Sequence, residues 1–291
     1  MKAKSFYAIG LIATAIASLL IIGCENTPTE NENEALIPAS RMGYIHNICL
    51  NQVLNDFLTS NYNSNNEVTV EEMTTATTNA VGRELNVDLS HFERVDDCIG
   101  ASTAIISKLR SVSKAQYVDD DGILDETISS FLDSAFVQKG LLTIDEKSDF
   151  MQIFSNLRSG IDTLTFDAMM DDYETMIVNK YGEEQAWKFL AASSTAKYSY
   201  AYWTENAQNW ILAINTARQN NGLPPLPLTI NPGSIGHADV AGLISGAIVG
   251  GTAGYFGGPG GVIGGGAMGG AIGAVGCSAG EFAAQVWDEW F

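Results

Sequence analysis

Residues 240–280 read VAGLISGAIVGGTAGYFGGPGGVIGGGAMGGAIGAVGCSAG, a stretch without one charged side chain. Of the 29 glycines in the chain, 19 lie between Gly233 and Gly280. Gly242, Gly246, Gly250 and Gly254 recur every four residues, and Gly257, Gly261, Gly265, Gly269 and Gly273 repeat that interval. Residues four apart share one face of a helix, and glycine there lets two backbones approach closely. Between the two series stands Gly257-Gly258-Pro259-Gly260-Gly261, a turn in any setting. The pattern predicts a helical hairpin with arms at about 240–256 and 262–280.

Upstream, residues 40–222 read as helix after helix. Leu50, Val53, Leu54 and Phe57 fall at i, i+3, i+4 and i+7 on a first helix that Ser40 would cap. Thr69 with Glu72 and Thr143 with Glu146 have capping-box spacing. Further helices are expected at about 98–115, 122–138, 165–181, 183–196 and 199–220, with Gly140, Gly160, Gly182 and Gly222 at helix stops. No run alternates as a half-buried strand does over six or more residues. The expected fold is all-α, a bundle of seven or eight helices over 40–222, a proline linker over 223–234 (Pro224, Pro225, Pro227) and the hairpin over 235–291.

The first 23 residues form an export signal, with Lys2 and Lys4 ahead of an uncharged stretch that ends in Leu20-Ile21-Ile22-Gly23. With Cys24 next, LIIGC resembles the lipobox of bacterial lipoproteins. The resemblance implies cleavage before Cys24 and acylation of that cysteine by palmitate-type chains, giving a mature protein anchored in a bilayer. An uncleaved transmembrane anchor is the alternative, because the stretch is just long enough to span. Glu25 is not the aspartate that resembles an inner-membrane retention signal, which favours the outer membrane. Residues 24–39 include ENTPTENENE, an acidic stretch expected to be a disordered tether. It resembles the acidic tags that send Bacteroidetes lipoproteins to the cell surface, and a solvated spacer is the competing reading.

Charge narrows the partners. The chain carries 34 Asp and Glu against 15 Lys and Arg, a formal net charge of -19. Such a surface repels phosphate backbones and anionic headgroups, so no nucleic-acid partner is expected. No Lys or Arg follows Arg218.

The hairpin is similar to the glycine-zipper hairpins of bacterial envelope proteins and of double-glycine-zipper bacteriocins. Self-association or membrane insertion through Gly242, Gly246, Gly250, Gly254, Gly261, Gly265, Gly269 and Gly273 is what that resemblance implies. Hydrophobicity is marginal for insertion: six strongly apolar residues in the first arm contribute only about -2 to -4 kcal/mol. Trp287, Trp290 and Phe291 read either as an interfacial belt or as a short helix folded back on the bundle. A secreted or surface-displayed pore-forming protein is the alternative function, and the missing positive charge counts against it.

A search for catalysis finds no constellation, and no metal or cofactor site is expected. His46, His91 and His237 fit neither HExxH nor the Glu-x-x-His repeat of di-iron bundles. Gly276-Cys277-Ser278-Ala279-Gly280 matches GxSxG without a downstream histidine, and Gly264, Gly266 and Gly269 match GxGxxG without a preceding strand. Asp119, Asp120 and Asp121 ahead of Gly122 fail the EF-hand register, because Tyr117 and Ile128 fall where carboxylates are required. Asp167, Asp171, Asp172 and Glu174 read as a solvated helix face.

Once Cys24 is lipidated, Cys49, Cys98 and Cys277 remain. Cys49 with Cys98 is the preferred disulfide, since both lie in the helical body, and buried thiols are the competing reading. Gly43-Tyr44-Ile45-His46-Asn47-Ile48-Cys49-Leu50 resembles the GxxHNxxL opening of uncharacterised Bacteroidetes lipoproteins that also end in a glycine-rich tail, although those often have glycine at the positions of Ile48 or Cys49. His46 and Asn47 read either as a site or, more simply, as hydrogen-bonding pins for the first helix. The expectation is a lipid-anchored outer-membrane protein, non-enzymatic, acting by association.

Overall fold

The computed structural model describes residues 37–60, 70–86, 95–111, 121–158, 160–220, 222, 224–225, 230–254 and 258–288. Cys24, the tether, Thr69, His91, Trp290 and Phe291 lie outside the described residues, as does the side chain of Trp287. Among the described residues there are eight α-helices and no strand, so the chain is all-α. They are α1 (Met42–Ser60), α2 (Val70–Leu85), α3 (Val95–Ser111), α4 (Asp121–Leu132), α5 (Ile144–Asn156), α6 (Thr163–Asn220), α7 (Pro232–Gly254) and α8 (Gly258–Asp288).

Local chemistry explains where several of these begin and stop. Thr143 caps α5 with a full capping box: its hydroxyl accepts from the Glu146 N–H at 3.1 Å, and the Glu146 carboxylate accepts the Thr143 N–H at 2.9 Å. Asp162 caps α6 without the reciprocal bond, accepting the Thr165 N–H at 3.0 Å. Gly140, Gly160, Gly182 and Gly222 all have positive φ, the conformation in which a helix ends. Ser40 does not cap α1. It sits inside a 3₁₀ turn (Ala39–Arg41) that leads into the helix, and no side chain caps that turn. Beyond α4 the chain runs through a π-helical turn over Asp133–Val137.

Gly182, at φ 75° and ψ 163°, folds α6 into two limbs, 163–181 and 183–220. They run antiparallel: Tyr181 stacks on Phe189, Ser193 donates to Glu174 at 2.7 Å, Lys197 pairs with Glu174 at 2.8 Å and with Asp171 at 3.0 Å, and Phe166 lies against Tyr200. The second limb continues through residues 197 and 198, where two helices are expected from the sequence. Its Ser193, Ser194, Thr195 and Ser199 are weak helix formers, but all are buried, and tertiary packing overrides their propensity.

The hairpin of α7 and α8 lies inside the bundle. α7 packs on α3 and α6, while α8 packs on α1, α2 and α3. Residues of the body and of the hairpin share one hydrophobic core, so the separation at 223–234 is one of sequence and not of packing. α7 also starts earlier than about 240. Asn231 accepts the Ser234 N–H at 3.2 Å, and Pro232 occupies the first helical position, where its fixed φ is favourable. This brings His237 and Asp239 into the helix. No described helix is long and apolar enough to cross a membrane.

Candidate functional site

The glycine rows face each other across the hairpin. A Cβ on Gly242 would meet the Gly273 carbonyl, one on Gly246 the Gly269 carbonyl, and one on Gly250 the Gly265 carbonyl. Backbone therefore touches backbone along the seam. The helices hold Gly254 and Gly261 as well, but their surroundings lie outside the described residues. The outer surface of the seam is closed by α3: Ser102 Oγ donates to Gly273 O at 3.1 Å, and Cys98 Sγ donates to Gly246 O at 3.8 Å.

Deep in this packing lies a polar knot that draws on four helices. Asp239 of α7 is wholly buried. Its Oδ2 accepts from Ser199 Oγ of α6 and from Ser278 Oγ of α8, the latter at 3.1 Å. His46 of α1, 1% exposed, brings Nε2 to 3.3 Å from the same oxygen, as an ion-pair contact that is not aligned as a hydrogen bond. Trp203 donates its indole N–H to Ser278 Oγ at 3.2 Å and stacks on Phe282. Asp239 Oδ1 and Thr195 Oγ1, buried in the same region of the chain's core, accept or donate no hydrogen bond.

The hydrogen on His46 Nδ1 can be placed by elimination. Asn47 Nδ2 donates to the Tyr198 carbonyl at 3.0 Å, which only an amide nitrogen can do, so Asn47 Oδ1 faces His46 Nδ1 at 2.9 Å. Nδ1 must carry a hydrogen. Nε2 would then present a lone pair to a carboxylate oxygen unless a proton lies between them, so the contact is attractive only as an imidazolium–carboxylate pair or its neutral, proton-shared form. His237 repeats the arrangement on α7: Nδ1 donates to Gly233 O at 2.8 Å, and Nε2 lies 3.3 Å from Asp125 Oδ1 of α4.

The Gly43–Leu50 motif finds its role in this geometry. A Cβ on Gly43 would lie 2.6 Å from the Tyr198 ring, and the Gly43 N–H donates to Ser194 Oγ at 3.1 Å, so glycine lets α1 cross α6 at close range. His46 then reaches Asp239, Asn47 holds Tyr198, and Leu50 is fully buried. Both residues pin the first helix, and His46 also ties it to the hairpin.

The knot contains the residue types of a Ser-His-Asp hydrolase in a different arrangement. Both serines donate to the carboxylate instead of approaching the imidazole, and Ser278 of the GxSxG match sits within α8, not on a strand-to-helix elbow. What this arrangement can do is tie helices together. Among the described residues no group of three or more His, Cys, Asp or Glu is placed to hold a metal ion. Of the acidic cluster on α6, Asp171 and Glu174 engage Lys197, and burial pushes the Asp167 carboxyl up against the opposing pull of Lys197.

No disulfide joins Cys49 to Cys98; both are buried as thiols, as is Cys277. Their helices turn them to different neighbours. Burial, with the nearby Glu84 carboxylate of α2, pushes the Cys49 thiol up to about 12, whereas Cys98 points at Gly246 of α7. Burial likewise raises the Cys277 thiol, which donates to Ser102 O.

Sequence reasoning singled out the glycines, His46 and, through its GxSxG match, Ser278, but missed Asp239, Ser199 and Trp203. A fully charge-flanked apolar segment draws attention to its interior, and Asp239 stands at its edge. The chain matches no family model, no curated protein and no solved structure.

Proposed function

We propose that this chain is a lipid-anchored protein of the bacterial envelope that acts by association and not by catalysis, with its glycine-zipper hairpin stowed inside the helical body. The lipobox-like LIIGC ending at Cys24 supports the anchor, and Glu25 in place of a retention aspartate supports an outer-membrane address. The observation that carries the reading is the enclosure by the body helices of a hairpin that is charge-free from Val240 to Gly280: α7 packs on α3 and α6, α8 packs on α1, α2 and α3, and Leu243, Ile244, Ile272 and Val275 are all buried. A hairpin in that position keeps its apolar surface from water and meets a bilayer or a partner only when the body opens.

Two measurements test this. Radiolabelled palmitate should be incorporated into the full chain and not into Cys24→Ala, which should accumulate at the mass of the uncleaved precursor. In flotation with phosphatidylcholine vesicles, the acylated protein should float and the Cys24→Ser mature chain should stay in solution. Flotation of Cys24→Ser would mean that the hairpin reaches the bilayer without help.

The second reading, a bacteriocin-like pore former, draws support from the same enclosure, since a stowed hairpin is a way to carry an apolar element through water. The absence of Lys and Arg after Arg218 weighs against it. Dye release from vesicles by the purified mature chain would favour it over the first.

A further inference from the structure

We propose that the His46–Asp239 contact is a latch, a conformational device that holds the hairpin in the body and releases it as one unit when undone. The inference deepens the association reading above and rests on it only for the destination of the released hairpin.

The two interfaces of the hairpin differ in kind. Within it, α7 and α8 meet glycine against glycine, backbone to backbone at Gly242–Gly273, Gly246–Gly269 and Gly250–Gly265. Those contacts belong to the hairpin alone and survive its departure. Between hairpin and body, the attachments of side chain to side chain converge on few groups: Asp239 takes His46 and Ser199, Ser278 takes Trp203, and His237 faces Asp125, while α3 adds side-chain-to-backbone bonds from Ser102 to Gly273 O, from Cys98 to Gly246 O and from Cys277 to Ser102 O.

Polar groups are an unusual choice for a permanent core. Removing an imidazole and a carboxylate from water is costly, and mutual attraction offsets this only when geometry is good and the remaining polar atoms are bonded. Here His46 Nε2 is misaligned and Asp239 Oδ1 has no partner. Leucine or methionine in these places would close the seam more firmly. The pair is therefore all-or-none: intact, it holds α7 to α1 and α6 together; with either partner lost, the other is a buried uncompensated group that hydration draws outward. Once out, the arms, uncharged from Val240 to Gly280, find in the bilayer held nearby by the anchor a better solvent than water.

Buried thiols give a direct readout. Cys277 of α8 faces the body, its thiol donating to Ser102 O of α3 at 3.6 Å, a contact that departure of the hairpin breaks, while Cys49 faces α2. In the full mature chain carrying Cys24→Ser, alkylation of each thiol can be followed by peptide mass spectrometry. In His46→Leu, which leaves Asp239 buried without its counter-ion, Cys277 should label about tenfold faster or more than in the parent while Cys49 changes little and helicity is retained. In His46→Leu with Asp239→Leu, where both polar groups are gone, Cys277 should label no faster than in the parent.

Equal acceleration at Cys49 and Cys277 would show that the knot contributes only to global stability, and no acceleration at Cys277 would show that it holds nothing; either overturns the latch. Should His46→Leu fail to fold, the double variant decides: protection of Cys277 at or above the parent level supports the latch, and faster labelling overturns it. Phosphatidylcholine vesicles separate the two claims. A His46→Leu chain that opens at Cys277 and floats supports both, whereas one that opens and stays in solution supports the latch and overturns the membrane destination.

Discussion

Gly246 and Gly269 meet backbone to backbone: a Cβ on Gly246 would overlap the Gly269 carbonyl oxygen and lie 2.7 Å from its carbon. Neither atom can yield, because both belong to helical backbone. Gly246→Ala and Gly269→Ala should each cost about 1–3 kcal/mol or more by forcing the arms apart. Gly266 is the control on the same helix, with its nearest neighbours 3.5 Å or more from an added Cβ. Gly266→Ala should be neutral or stabilise by up to about 1 kcal/mol through helix propensity. Urea unfolding of the three variants tests the contrast, and equal losses would refute the face-to-face seam.

The turn at Gly182 is needed for its conformation alone, since nothing lies within 4 Å of an added Cβ while φ is +75°. Gly182→Ala and Gly182→Asn should each lower stability by about 1–3 kcal/mol, because φ 75° with ψ 163° lies outside the left-handed helical well that asparagine tolerates and is open essentially to glycine alone. Thermal unfolding should find both variants below the parent, with no rescue by asparagine.

The cap of α5 should make stability depend on pH. Burial pushes the Glu146 carboxyl up, but its bonds to Lys188 and to the Thr143 N–H outweigh burial and hold it below its ordinary 4.5. A carboxyl depressed in the folded state contributes stability that is complete above the unfolded value and lost as pH falls through the folded one. The stability gap between the parent and Glu146→Gln should accordingly be constant near neutrality and shrink below pH 4.5. Thr143→Ala, which removes the reciprocal bond, should cost about 1 kcal/mol.

Cys49 should be inert in the native state, its thiol pushed up to about 12 and therefore protonated at pH 8. Alkylation with iodoacetamide should reach it only after denaturation. A thiol titration of the denatured, unreduced mature chain should find Cys49, Cys98 and Cys277 all reduced. Two missing thiols would restore the Cys49–Cys98 bridge.

Much of the scaffold was legible because its signals are local. Four-residue glycine spacing announced the seam, Thr143 with Glu146 announced α5, and the glycines at 140, 160, 182 and 222 marked stops that all have positive φ. The start of α7 was obscured because Pro232, Gly233 and Gly236 read as breakers, although Asn231 followed by Pro232 is also a cap and first turn. Residues 197 and 198 looked like a gap between helices, next to a serine- and threonine-rich run of weak helix propensity, yet Ser193, Ser194 and Ser199 bond Glu174, the turn before α1 and Asp239 from one continuous limb. The knot itself had no local signature. His46 and Asp239 stand near opposite ends of the described chain, and only the folded bundle brings them within 3.3 Å.

The hairpin is the centre of the body, packed on α1, α2, α3 and α6, and truncation tests this most directly. A mature Cys24→Ser chain ending at Ile230 should lose its cooperative thermal transition and its near-ultraviolet circular dichroism, because α1, α3 and α6 lose the surface against which their apolar faces are buried. A truncated chain that still unfolds cooperatively would contradict it and make the hairpin an appendage of an independent domain.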